Sequence, residues 1–289
     1  MSANLRQAHL VADTGLLRPR GEAGAGTVRA MECIRLERDG HLLVATIDHP
    51  TSALNAVDEQ LHAELAELFA GLRHEGDARA VILTGAGAAF SAGGDMSWFP
   101  TLRAPQRLDA LRREGKQLIW DLLDVEVPIV CALNGPAVGL GASIALMCDL
   151  LVMAEGATIV DPHVQVGLVA GDGGAAIWPL LLGPLAAKRH LMLGEPLTAA
   201  EAMRLGVAAE VCAQGDVDAV AHGWADRLAA QAPLAVRGTK LAVNAQIKQA
   251  LLTSFDLSTA LEVHCFHSRD HDEAVRAFVE KRPPEFTGG

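Results

Sequence analysis

The stretch VILTGAGAAFSAGGDM, residues 81–96, feeds a short β-branched run into a loop with glycines at 85, 87, 93 and 94. Such loops bring bare backbone against a ligand, because glycine adopts dihedrals and leaves clearances that other residues do not. A nucleotide phosphate is the first candidate. The P-loop closes on Gly-Lys-Ser/Thr, and RGTK at 237–240 lacks both the partner glycine and the preceding strand. The dinucleotide fingerprint needs a small residue where Phe90 stands, and an acid closing a second strand where residues 105–124 read as helical. Neither phosphate chemistry fits.

Further along, two ionisable residues carry candidate chemistry. Asp172, in VAGDGGAAIW, lies between glycines and can accept a proton or cap a helix beginning near Gly173. His163, in DPHVQVGL, is chemically able as a base, since an unperturbed imidazole titrates at about 6.5. Its other role is that of a polar residue lining a pocket. Asp95 and Asp149 read as helix caps or loop anchors, and Trp98 and Phe99 as either pocket wall or core.

These residues need elements to position them. From residue 33 the chain alternates short apolar strands with helices: HLLVATI (41–47) and AVILT (80–84), with Leu61, Leu65 and Leu68 at helical spacing between them. Asp58 is a good start for that helix. A helical 105–124 precedes the buried strand VPIVCAL (127–133), which NGPAVGLG turns into the helix ASIALMC, before DLLVMA (149–154) and TIV (158–160). Strand, glycine turn and helix in repetition predict an α/β fold with mostly parallel strands. After Gly173 the pattern is nearly all helical, in pieces at 174–182, 185–193, 198–204, 216–231, 234–250 and 255–280. The predicted organisation is a disordered extension at 1–30, an α/β core at 31–200 and a C-terminal helical region at 201–289. RPRGEAGAGTVRA in the extension is small, polar and aperiodic, and Met31 is a plausible alternative start.

Composition narrows the function. Half of the 289 residues are hydrophobic and 20% are charged, which suits a globular core. A net charge of −11 argues against a nucleic-acid partner, which rewards clustered Lys and Arg. Five scattered cysteines without a CxxC pair predict reduced thiols, a cytoplasmic location and no metal centre. The longest uncharged run, 127–148, is broken by two prolines and three glycines, so no membrane span is expected.

FSAGGDM (90–96), followed by NGPAVGLGASIALMCDLLVMA (134–154), resembles the crotonase or enoyl-CoA hydratase/isomerase superfamily. HPTSALNAVDEQL before this pair, and VGLVAGDGGA and FVEKRPPEF after it, follow in family order, so the resemblance spans about 33–286. It implies a crotonase-like spiral of ββα units with a C-terminal helical trimerisation region, assembled as a homotrimer or homohexamer. The implied substrate is an acyl-CoA thioester, with coenzyme A arriving as part of it and no permanently bound cofactor. By similarity, the N–H groups of Gly94 and Leu140 hold the thioester oxygen as an oxyanion. Ala53, Leu54, Asn55, Ala56 and Ala92 would line the CoA path, and Phe278 and Lys281 would touch the CoA of a neighbouring subunit.

The family's two hydratase glutamates align with Ser143 and His163, so neither carboxylate is present. Asp172 matches the position of an acidic residue in double-bond isomerases of the family. Moving a double bond needs one base, and the resemblance implies isomerisation through Asp172. A hydratase or other lyase using His163 and Asp172, and a silent acyl-CoA binder, stay open as alternatives.

Overall fold

The computed structural model describes residues 31–289, so the expected extension at 1–30 lies outside the described residues. Strands β1 (Ile34–Asp39) and β2 (Leu42–Ile47) form an antiparallel hairpin. Helix α1 (Glu59–Leu72) starts where Asp58 accepts the Leu61 N–H at 2.9 Å, and buries Leu61, Leu65 and Leu68. Next come β3 (Ala80–Gly85), α2 (Pro105–Asp124), β4 (Ile129–Leu133), the two-residue β5 (Ala137–Val138) and α3 (Leu140–Met147). After them lie β6 (Leu150–Ala154), β7 (Thr158–Val160), α4 (Gly174–Leu182), α5 (Pro184–Leu193), β8 (Leu197–Thr198) and α6 (Ala199–Arg204). The chain closes with β9 (Glu210–Cys212), α7 (Val217–Ala229), α8 (Pro233–Phe266) and α9 (Arg269–Glu280).

Six strands form one sheet in the order β1-β2-β3-β4-β6-β9, and β5-β7-β8 form a second. Apart from β1, neighbours in the larger sheet run parallel. Its central strands are continuous apolar runs, as parallel strands covered on both faces must be; every residue of β4 is buried. The α/β architecture is therefore the expected one.

Three details differ from expectation. The C-terminal portion is not purely helical, because β9 returns to extend the sheet beside β6. Its three residues are too few to show a strand period. The separate helices expected at 234–250 and 255–280 are divided elsewhere: α8 runs unbroken through 251–254, where no Gly or Pro interrupts it, and ends at Phe266. Ser268 then starts α9 by accepting the His271 N–H. Lastly, the sequence does not predict β1, because Ile34 and Leu36 are its only apolar residues and the charged Glu37, Arg38 and Asp39 that follow hide the strand. No described helix is long and apolar enough to cross a membrane.

Candidate active site

The two glycine loops follow the C-terminal ends of β3 and β4, and backbone bonds lock them together. Ser91 and Ala137 form a parallel bridge, with the Val138 N–H donating to Ser91 O at 2.9 Å. On its other side the first loop is held by α1's leader: Val57 N–H donates to Gly93 O at 2.7 Å, and Asp95 N–H to Val57 O at 2.9 Å. Gly93, at φ 75°, lies so close to the Val138 carbonyl that a Cβ would sit 2.8 Å from its oxygen. Gly141 faces the same limit against the Ser91 side chain at 2.7 Å. The glycines are therefore steric requirements of loop-on-loop packing.

Gly94 and Leu140 line one cavity. Leu140 is the first residue of α3, where an amide has no partner within its own helix. Among the described residues neither amide has a hydrogen-bond acceptor. The apolar walls come from Trp98, Phe99, Leu102, Leu108, Val263 and Phe266. Trp98 and Phe99 thus take the pocket-wall role, and Phe99 also packs edge-on against Phe266 at 6.0 Å between centroids.

The polar end of this cavity holds Asp172, His163 and a residue that sequence reasoning missed, Glu262. Ser143, from α3, donates its hydroxyl to Asp172 Oδ1 at 2.9 Å, and the Gly174 N–H reaches the same oxygen at 3.4 Å. Asp172 thereby serves as an anchor at the start of α4, while its Oδ2 is buried and has no hydrogen-bond partner. The His163 Nδ1 lies 2.5 Å from Asp161 Oδ1, and its Nε2 lies 3.7 Å from Asp172 Oδ2 and 3.8 Å from Glu262 Oε1. Asp161 is fully buried, and its other oxygen packs where a Cβ on Gly174 would stand. Glu262 reaches in from α8 across Gly171, whose missing side chain makes the room: a Cβ there would sit 2.0 Å from Glu262 Oε2.

Electrostatics follow from this crowding. Burial alone would lower the His163 imidazole, but the charges of Asp161 and Asp172, the Asp161 hydrogen bond and Glu262 outweigh it and raise it well above its ordinary value. Burial pushes the Asp172 carboxyl up, opposed by His163 and by the bonds from Ser143 and Gly174. Burial likewise pushes Glu262 up to about 8, aided by Asp172 and Asp161. This crowding favours a charged imidazole and a protonated Glu262 at neutral pH. On the cavity's far side, burial lowers His62 to about 4, so that ring is neutral. Asp161, His163 and Asp172 also bring donor atoms within 4.8 Å of one another. Because Asp161 and Asp172 approach opposite nitrogens of the ring, the geometry orients and charges an imidazole rather than converging on one ion.

The residues expected along the CoA path fall into two groups. Ala53, Leu54, Asn55 and Ala56 form a turn joined to the first glycine loop by the Ala92 N–H, which donates to Leu54 O at 2.9 Å. Asn55, at φ 54°, spends its amide on the carbonyls of Ala86, Ala89 and Phe90, so its side chain holds the loop and is not free for a ligand. Leu54 is half exposed beside it. Phe278 and Lys281 do not line this chain's cavity; both are exposed, at the end of α9. Asp95 and Asp149 are anchors, accepting the N–H groups of Ser97 and Ile129.

Glu262 left one signal in the sequence. Phe255, Thr259, Glu262 and Phe266 share one helical face, which places a carboxylate in a largely apolar stripe.

A family model described as enoyl-CoA hydratase/isomerase matches residues 37–289. The 1,2-epoxyphenylacetyl-CoA isomerase of Escherichia coli (strain K12) is 31% identical over 261 residues, covering 89% of this chain and 99% of that protein. An enoyl-CoA hydratase/isomerase structure from Mycobacterium paratuberculosis matches with a TM-score of 0.80 and 38% identity, over 84% of this chain and 97% of that one. The structure of a β-diketone hydrolase from the cyanobacterium Anabaena sp. PCC 7120, bound to (S)-3-oxocyclohexyl acetic acid, matches with a TM-score of 0.76 and 32% identity, over 81% and 94%. With its glycine loops and a family-model match that runs over residues 37–289, this chain belongs to the enoyl-CoA hydratase/isomerase family.

Proposed function

We propose that the protein isomerises the double bond of an acyl-CoA thioester through an enolate, with Asp172 as the base. One observation carries this reading: Asp172 Oδ2 is buried without a hydrogen-bond partner in the cavity that Gly94 and Leu140 also line. Asp172 Oδ2 takes the proton from C2 of a 3-enoyl thioester. The C2–H electrons pass to the thioester oxygen, which the Gly94 and Leu140 amides hold, in a role each worth about 3–4 kcal/mol of barrier. A proton then adds at C4, leaving the double bond between C2 and C3. Burial raises Asp172 toward the range in which a carboxylate is an effective base.

A second reading has water as the reactant, and the orientation of His163 favours it. Asp161 fixes one ring nitrogen, and the other lies toward the cavity and Asp172. A ring held this way can position water for addition to a 2-enoyl thioester, or to a carbonyl of a β-diketone, the substrate class named for one structural neighbour.

Supplying 3-enoyl-CoA, 2-enoyl-CoA and a cyclic 1,3-diketone separately, and following products by chromatography, distinguishes the readings. Conversion of the 3-enoyl ester to its 2-enoyl isomer, lost in Asp172→Asn while acyl-CoA binding persists, is the expected result. Formation of 3-hydroxyacyl-CoA from the 2-enoyl ester, or ring opening of the diketone, without isomerisation selects the water reading. Binding of all esters without turnover marks a silent binder.

Homotrimers or homohexamers are the expected assembly. Leu185, Leu234, Leu252, Phe278 and Val279 are more than 60% exposed, an apolar surface that a partner copy would cover. Sedimentation velocity checks it.

A further inference from the structure

The isomerase reading uses one carboxylate, yet the cavity holds two, on different elements and facing the same nitrogen of one imidazole. Glu262 comes from α8 and Asp172 from the loop before α4, and His163 Nε2 stands 3.8 Å and 3.7 Å from their nearest oxygens. Room for Glu262 is made by Gly171, the residue preceding Asp172. A carboxyl group in an apolar stripe of α8 contributes nothing to packing that Leu or Met would not do better. Its neighbours there, Phe255, Thr259, Val263 and Phe266, line the same cavity.

Resting on the enolate reading above, we infer that Glu262 is a second catalytic residue, the acid that delivers a proton to the dienolate after Asp172 has removed one. In this scheme the C2–H bond breaks as an O–H bond forms on Asp172. The Glu262 O–H bond then breaks as the C4–H bond forms. Asp172 is left protonated and Glu262 ionised, and exchange with water as product leaves resets both, Asp172 releasing its proton to solvent and Glu262 taking one from it. Atoms and charges balance over the turnover. The protonation this requires agrees with the environment, since burial keeps Glu262 a neutral acid at pH 7.

The consequence is isotopic. When Asp172 alone shuttles the proton, hydrogen taken from C2 returns in part to C4. When Glu262 delivers it, a reaction in D2O places about one deuterium at C4 per turnover. The test uses the full chain with 3-enoyl-CoA in D2O, read by mass spectrometry, beside exchange at C2 of a saturated acyl-CoA, which needs the base but no acid at C4. Wild-type protein is expected to give near-complete label at C4. Glu262→Gln is expected to lose turnover by about 10²-fold or more, to keep C2 exchange within about threefold, and to return unlabelled hydrogen to C4 in the turnover that remains. Glu262→Asp should restore part of the label.

Unchanged turnover and labelling in Glu262→Gln overturn the inference, as does wild-type transfer of C2 hydrogen directly to C4. So does loss of acyl-CoA binding or of thermal stability in both Glu262 variants, which would make the residue structural. Undiminished C2 exchange in Asp172→Asn would instead refute Asp172 as base. The two failures are therefore separable.

Discussion

Asp161 Oδ1 and His163 Nδ1 lie 2.5 Å apart at the end of β7, and this contact sets the charge of the whole cluster. The imidazole is raised because Asp161 and its neighbours outweigh burial. Replacing Asp161 with Asn removes the negative charge and keeps the shape. The His163 pKa, followed by NMR, is expected to fall. A histidine raised in the folded state contributes stability fully below its unfolded value of about 6.5, and loses it as pH rises through the folded value. Asp161→Asn should therefore cost about 3 kcal/mol at pH 6, with the difference from wild type shrinking at alkaline pH. A constant difference across pH would assign Asp161 a packing role only.

Glu262 gives a second, independent pH signature. Burial raises its carboxyl to about 8, so between about 4.5 and 8 the folded chain holds a proton that the unfolded chain has released. Stability must then fall with rising pH across that window, with a slope of up to about 1.4 kcal/mol per unit. Glu262→Gln cannot titrate, and denaturant unfolding at several pH values should show this slope flattened. Parallel curves for the two proteins would mean that Glu262 ionises normally.

The clearance at Gly171 predicts a coupled pair. Gly171→Ala places a methyl group 2.0 Å from Glu262 Oε2 and 2.6 Å from its carboxyl carbon, so the side chain must leave its position. Thermal stability and turnover should both drop. In Gly171→Ala combined with Glu262→Ala the obstacle is gone, and the loss of stability should be about 1 kcal/mol or more below the sum of the single losses. Strict additivity of the two would show that the glycine serves some other purpose.

How much of this was readable beforehand depended on distance along the chain. The glycine loops, Asp172 and His163 sit in short motifs whose spacing carries their meaning, and α1, α2 and the central strands have the periodicities their burial demands. Ser143 is a catalytic candidate in the sequence, at the place of a missing glutamate; its hydroxyl donates to Asp172 and so orients the carboxylate that is present. Asp161 stood within a quoted motif, but nothing local says that it bonds the histidine two positions on. Glu262 is ninety positions beyond Asp172 and joins the site only through the packing of α8 on α4, information that no sequence window holds. The strand β9 escaped for the same reason, since only its pairing with β6 makes it a strand.

The last prediction concerns a backbone atom, which ordinary side-chain replacement does not remove. Leu140 opens α3, directly after Gly139 at φ 54°. Proline is tolerated at the first position of a helix, where its fixed φ suits the turn and its missing N–H breaks no helical bond. Leu140→Pro therefore deletes one donor from the cavity while leaving α3 its hydrogen bonds. Leu140→Ala deletes the side chain and keeps the donor. With the thioester oxygen held by this amide, the proline variant should lose about 10²–10³-fold in kcat and the alanine variant far less, with circular dichroism unchanged in both. Because the amide matters most when the oxygen is negative, acyl-CoA affinity should change little in the proline variant. Equal kcat losses in the two variants would shift the role to the leucine side chain as a pocket wall, and would leave Gly94 as the sole candidate donor to the enolate oxygen.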